Sequence, residues 1–318
     1  MVWMPYVCIG IGLILGLNKL SDRLLRQIDI ITTIMLIVLM LTIGMNIGVN
    51  DSVISNLNLI GFNCIVISLS AIAFSVIFTI IVEKTILPLD EISKEIRLEN
   101  INISEEIDLP EEENKKSSPL LWLMPISIII GVAIGYFVMP DNKVYILDYL
   151  LTASLIVLYI GAGITIGANR KVFEYIKILG FKVVFLSLAI LAGSIIGGVI
   201  SGLILKLPLN ISVISASGMS YYSLTGAYMT QMYGIKTGTY GFIVNVMREF
   251  FTVLFMPLLV KISKGSPIAG GAAGNMDTML VPITKVVGAD LGLVTLITGT
   301  ILTFIVPFLL PFLSNILV

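Results

Sequence analysis

The sequence predicts an all-α polytopic membrane protein, with two inverted three-helix repeats followed by two hairpin-plus-helix units. Three observations carry this expectation. Hydrophobic residues make up 57% of the 318-residue chain and charged residues only 12%, with a mean hydropathy of +1.04. Nearly uncharged windows of about 20 residues, the length that crosses roughly 30 Å of hydrocarbon, recur from end to end. The chain also matches itself at a shift of 119 positions, and its last third alternates clean apolar runs with runs broken by small and polar residues.

The first repeat, residues 1–82, holds apolar segments at about 1–17, 28–48 and 58–82. Its opening "MVWMPYVCIGIGLILGL" has neither a basic start nor a small-residue cleavage site, so it reads as a retained helix. An acidic loop, 83–118, follows with eleven of the 20 acidic residues, a composition that stays solvated as a linker. The second repeat, 119–206, has its segments at about 119–138, 145–168 and 176–205. The shift lays Trp3 on Trp122, Gly12 and Gly16 on Gly131 and Gly135, and Asp29 on Asp148. It also lays Gly44, Gly48 and Asn50 on Gly163, Gly167 and Asn169. Shared low complexity would match scattered Ile and Leu, not paired landmarks of rare residue types.

Three crossings per copy invert the second copy relative to the first. Charge agrees: Asn50-Asp51-Ser52 in one copy answers Asn169-Arg170-Lys171 in the other. The positive-inside bias places the Asp51 loop outside and the Arg170 loop in the cytoplasm. With about eight full crossings and two re-entrant hairpins, both termini lie outside. Fifteen of the 19 Lys and Arg are then cytoplasmic. A ten-helix arrangement with broken spanning segments is the alternative.

Residues 207–318 read as hairpin, helix, hairpin, helix. The first hairpin, 208–234, is broken by Ser217-Gly218-Met219-Ser220-Tyr221-Tyr222-Ser223, and the second, 266–288, by Gly274-Asn275-Met276-Asp277-Thr278. Non-helical backbone at membrane depth persists only where protein or a water-filled cavity surrounds it. The breaks are therefore candidate binding elements, with Gly218 and Gly274 expected to supply the missing Cβ and the positive φ. Ser220, Tyr221, Tyr222, Ser223, Asn275 and Thr278 would supply neutral hydrogen bonds, and exposed helix ends would suit charged ligand groups. For the glycines alone, tight helix packing is the plainer reading.

Two carboxylates are the sharper signals. An acidic group at mid-membrane costs about 2.5–3.5 kcal/mol on insertion scales, so Asp277 and Glu249 should face a partner or a cavity. Arg248 adjoins Glu249, but neighbours on a helix do not face each other. Arg248 is expected to reach another carboxylate, such as Asp29 or Asp148, or backbone carbonyls. Asn245, one turn before Glu249, shares its face, while Asn50 and Asn169 read as helix caps and Asn46 as a possible path residue. The chain has no histidine, which removes histidine relays and histidine-bound zinc or haem, and Cys8 and Cys64 sit in apolar segments unsuited to a disulfide or metal site. No metal, cofactor or nucleic-acid partner is expected.

At these residues the sequence resembles the bacterial LysO-type lysine exporter family. "ASGMSYYSLTG", "NVMREFF" and "GNMDTMLVPI" carry the likeness, with Tyr221, Asn275, Val281 and the acidic loop as departures. The resemblance implies a non-enzymatic secondary transporter in the bacterial inner membrane, exporting L-lysine, with Glu249 and Asp277 essential. Moving a cation outward against an inside-negative potential costs about 2.3 kcal/mol per 100 mV. With no P-loop in the chain, proton or sodium antiport is expected, and a homo-oligomer is compatible with the sequence. The alternatives are a sodium–proton antiporter or carboxylate transporter of similar plan. More remote is an intramembrane aspartyl protease using Asp277 and Asp290.

Overall fold

A computed structural model describes residues 3–18, 20–89, 92–93, 119–140, 144–168 and 180–317. The acidic stretch 94–118, Lys143 and the Asn169-Arg170-Lys171 loop lie outside the described residues. Among those described there are thirteen α-helices and no strand. The first six are α1 (Met4–Leu17), α2 (Asp22–Val49), α3 (Asp51–Ser55), α4 (Leu57–Thr85), α5 (Pro119–Phe137) and α6 (Tyr145–Ala168). The remainder are α7 (Lys182–Leu205), α8 (Leu209–Ala216), α9 (Tyr222–Tyr233), α10 (Ile235–Ile262), α11 (Gly265–Gly271), α12 (Leu280–Val287) and α13 (Gly292–Ile316).

Among the described residues six helices are long and apolar enough to cross a membrane: α2, α4, α6, α7, α10 and α13. In the first repeat the opening helix, α1, is shorter than the full crossing expected, whereas α5, with 19 residues, keeps nearly the expected length. At 1.5 Å per residue, the 14 residues of α1 reach about 21 Å. The local signals act as their chemistry demands. Ser21 caps α2 and the Asn50 side chain accepts from Val53 N–H at 3.2 Å, ending one helix and starting the next. Gly234 (φ 83°) and Gly288 (φ 103°) close α9 and α12 in backbone conformations that a Cβ would oppose.

The repeats exchange their helices. Helix α1 packs on α6, the second helix of the other repeat, and α5 packs on α2 in return. Glycine makes these contacts possible: Gly12 meets Gly163 and Gly16 meets Gly167, while Gly131 meets Gly44 and Gly135 meets Gly48. A Cβ on Gly12 would stand 2.2 Å from the Ile160 carbonyl oxygen, and one on Gly131 2.4 Å from that of Leu41. The four helices form a frame whose backbones touch, the arrangement small residues allow where lipid gives no hydrophobic drive between helices. The third helices of the repeats, α4 and α7, pack antiparallel: Gly193 lies against Ser75 and Gly197 against Ala71.

Helices α8, α10, α11 and α13 gather on α4 and α7, and α9 and α12 pack in turn against α10 and α13. After Leu205 the chain reverses, and α8 runs back along α7 with Ser212 beside Gly202 and Val213 beside Gly198. Helix α9 then returns, and α10 packs antiparallel on it, Phe242 against Gly226 and Thr230 against Gly238. Asn63, near the start of α4, donates to the Tyr240 hydroxyl at 3.0 Å. Both ends of the first hairpin therefore lie at the Leu57 end of α4. The second hairpin, α11 to α12, has both ends at the Thr85 end: Gly265 abuts Thr79 and Glu83, and Ser93 donates to Asp290 at 3.0 Å. The tips meet where Ala273 N–H donates to the Met219 carbonyl at 2.9 Å.

The solvated linker expected from residue 83 begins later. Leu87 and Leu89 are buried in an apolar cluster with Val183, Ile268 and Ile283, because this first part of the stretch is still apolar and seats the second hairpin.

Candidate functional site

A cavity of about 210 Å³ lies where the two hairpin tips, the frame and α10 converge. The first hairpin lines it with Ser220, Tyr221, Tyr222 and Ser223, and the second with Ala273, Gly274, Met276, Asp277 and Thr278. Glu249 enters from α10, Thr303 and Phe304 from α13. The frame contributes Asp29, Thr32 and Leu36 of α2 and Leu158, Gly161, Ala162 and Thr165 of α6. Three carboxylates thus border one cavity, and no lysine or arginine is among its lining residues.

The carboxylates are placed differently. Glu249 is part-buried and its Oε1 accepts from the Thr278 hydroxyl at 3.0 Å, which ties α10 to the second tip. Asp277 is exposed to the cavity, and its side chain accepts from the Thr278 N–H. Asp29 is exposed at the frame side. The Ser220 hydroxyl is buried without a protein partner, leaving a neutral hydrogen-bonding group at the wall. Tyr222 begins α9, and with Tyr221, Tyr222 and Ser223 lining the cavity the positive end of this helix's dipole stands at its edge.

Seven of the ten polar and charged residues expected here reach the cavity; Arg248, Asn245 and Asn275 do not line it. Arg248 is 1% exposed and faces away, into the joint between α4, α7 and the second hairpin. Its Nη1 donates to Ser194 at 2.8 Å, its Nη2 to Ser75 at 3.1 Å and to the Ala269 carbonyl at 3.0 Å, and its Nε to the Gly270 carbonyl at 3.1 Å. Of the two partners expected for it, carboxylate or carbonyl, it takes the carbonyls. Those end α11, where the last C=O groups lack helix partners and a cation is favoured. Ser75 and Ser194 are themselves 119 positions apart, so one serine from each repeat holds the guanidinium.

Asn245 is fully buried and works as a brace. Its Oδ1 accepts from Ser220 N–H at 2.8 Å and its Nδ2 donates to the Ser215 carbonyl at 2.9 Å, pinning the first tip to α10. Asn275 donates to the Ile268 carbonyl at 2.8 Å and pins the second tip from within.

The glycine expectation needs a correction. Positive φ at the breaks falls on Met219 (50°), Ser220 (75°) and Ala272 (50°), not on Gly218 or Gly274. The glycines supply space instead. A Cβ on Gly218 would lie 2.3 Å from Thr225 Oγ1 and 2.4 Å from Asn245 Nδ2, and one on Gly274 2.8 Å from Glu249 Oε1. L-residues in left-handed conformations cost roughly 1–3 kcal/mol each and persist where surrounding contacts over-determine them, as the Asn245 bonds do at Ser220.

Asp29, Thr32, Thr165 and Thr303 also line the cavity, which the sequence reading does not anticipate. Asp29 does carry a signal, a repeat-matched carboxylate at the threshold of an apolar helix, but in sequence it reads equally as a partner for Arg248. Asp290, paired with Asp277 in the protease alternative, stands at the Thr85 end beside Ser93 and outside the cavity lining.

Comparison with known proteins follows the same lines. The profile of the family described as lysine exporter LysO matches residues 6–93 and 126–314. The chain is 30% identical over 190 residues to the lysine exporter LysO of Escherichia coli (strain K12), covering 59% of this chain and 62% of that protein. It is 29% identical over 122 residues to a putative lysine exporter of Haemophilus influenzae, covering 38% of this chain and 63% of that one. The alignments thus span less than two thirds of either relative. No solved structure matches. With most of each repeat and both hairpins inside the matched segments, this chain belongs to the lysine exporter LysO family.

Proposed function

We propose that this protein is a secondary active transporter of the bacterial inner membrane that exports L-lysine by alternating access. The observation that carries the reading is the cavity at the hairpin tips, bordered by Asp29, Glu249 and Asp277 with no cationic side chain among its lining residues. Such a wall favours a cation. It disfavours a carboxylate substrate, for which facing carboxylates would be repulsive at close range. Asp277 is the proposed ligand of the lysine ammonium group, and the positive dipole end of α9 with the Ser223 hydroxyl suits the α-carboxylate.

Glu249 is the proposed coupling group. It reaches Asp277's tip through Thr278, so loss or gain of its charge alters both the hairpin contact and the field at the ligand site. Export against an inside-negative potential, at about 2.3 kcal/mol per charge per 100 mV, then draws on inward movement of protons or sodium. The hairpins enter from opposite faces in this reading, the first from outside and the second from the cytoplasm, with both termini outside.

The test is lysine efflux from proteoliposomes under imposed proton and sodium gradients. Asp277→Asn preserves size and hydrogen bonding but removes the charge, and is expected to abolish efflux; Asp277→Glu should keep part of it. Full efflux by monodisperse Asp277→Asn protein would remove this carboxylate from the mechanism. Citrate counterflow in place of lysine would favour the carboxylate-carrier alternative.

A further inference from the structure

The long frame helices repeat each other in sequence but not in environment. On α2 the positions Asp29, Thr32, Leu36, Leu39, Ile43 and Asn46 follow spacings of three and four, forming one stripe along the helix. The shift of 119 lays Asp148, Leu151, Leu155, Leu158, Ala162 and Thr165 of α6 on the same stripe. The cavity meets only the first half of the α2 stripe and the second half of the α6 stripe. There Thr32, Leu36 and Ala162 are part-exposed. Their repeat mates are closed: Leu155 and Ile43 are 0% exposed and Leu151 is 2% exposed.

The first hairpin supplies the closure. Helix α9 packs across α2 and α6, Gln231 donates to the Thr152 hydroxyl at 3.4 Å, and Leu39, Ile43, Leu151 and Leu155 share one apolar cluster with Met219 and Leu224. The second hairpin does not cover its half in the same way. Val281 and Pro282 of α12 are part-exposed, and Val286 is 39% exposed.

We infer that the protein has a second state in which the cover is exchanged. Helix α9 leaves the Leu39–Ile43 and Leu151–Leu155 halves, and α12 closes over Thr32, Leu36 and Ala162. The cavity then opens at the opposite end, between Asp148 and Asn46. The inference rests on the transporter reading and names its other conformation. Its physical basis is the repeat: the half-stripes share the landmarks Asp29/Asp148, Leu36/Leu155 and Leu39/Leu158, so each half can seat a covering hairpin, while Leu151 and Ile43 in place of Thr32 and Ala162 favour the cover seen here. Asp29 and Asp148 then serve as matched mouth carboxylates, each raising the local concentration of a cation at the end that is open.

Single cysteines test this in a background with Cys8 and Cys64 replaced by alanine. Ile43→Cys and Leu155→Cys, on different helices, are challenged in proteoliposomes with a membrane-impermeant maleimide applied to one face and then the other, with Ala162→Cys as reference. The expected result is labelling of both from the face opposite to the one that labels Ala162→Cys. Crosslinking Thr152→Cys to Gln231→Cys should suppress that labelling at least tenfold and stop lysine flux, with reductant restoring both. Labelling is read without substrate, so absent lysine flux with intact labelling counts against the lysine reading alone. Ile43→Cys and Leu155→Cys that both stay unlabelled from either face, or a crosslinked protein that transports at full rate, overturn the exchange.

Discussion

Replacing Arg248 by lysine separates a structural cation from a substrate-binding one. The guanidinium spends four hydrogen bonds on acceptors spread around its plane: Ser75, Ser194 and the carbonyls of Ala269 and Gly270. Lysine keeps the buried charge, and with it the desolvation cost, but presents three donors from one nitrogen in place of a planar fork. An ammonium at the Nη2 position keeps Ser75 and the Ala269 carbonyl but not Ser194 and the Gly270 carbonyl, which Nη1 and Nε reach, so two contacts are lost. Hydrogen bonds to charged groups contribute about 1.5–3 kcal/mol each, which puts the loss at roughly 3–6 kcal/mol. At about 2 °C per kcal/mol for a chain of this size, the unfolding midpoint of Arg248→Lys in detergent should fall by roughly 6–12 °C. The loss should appear with and without lysine present. The assay is thermal unfolding followed by size-exclusion chromatography, beside lysine binding at low temperature. An Arg248→Lys protein with a wild-type midpoint and weakened lysine binding would refute the structural role and return Arg248 to the ligand site.

Two further outcomes follow from the geometry. Gly218→Ala should impair transport more than Gly274→Ala, because its Cβ would press within 2.4 Å of the Asn245 brace whereas the nearest atom at Gly274 is 2.8 Å away at the end of Glu249; overpacking of this kind costs about 1–3 kcal/mol, and equal transport by the two variants would show that the first tip yields. Cysteines near Ser52 and the C-terminus should label from outside and one at Lys264 only from the cytoplasm; outside labelling at Lys264 would convert 208–234 into a full crossing and invert the site.

The fold class was legible because it rests on one-dimensional quantities. Apolar run length, the 119-residue shift and the distribution of Lys and Arg need no knowledge of which residues touch. The breaks at Gly218 and Gly274 were legible for a related reason: polar backbone in apolar sequence has to be housed by protein or water, so the signal survives without coordinates. Glu249 and Asp277 stood out through the cost of a charge in hydrocarbon, and their neighbours Tyr222 and Thr278 through proximity along the chain.

Tertiary structure decided what those residues do. Adjacent in sequence, Arg248 and Glu249 diverge by about 100° on α10, and only packing determines that one caps α11 while the other borders the cavity. Asn245 looked like a cavity residue because it shares a helix face with Glu249; the first tip folds over it and takes its hydrogen bonds. The left-handed residues are Met219, Ser220 and Ala272 because contacts across the tips, including Ala273 to Met219, outweigh the local preference for glycine. Asp29 joins the site through a pairing of α2 with α6 that lies 119 residues away in the chain. Sequence determines two related faces; packing of the hairpins selects the one that is covered, since the landmarks the copies share do not say where α9 and α12 land.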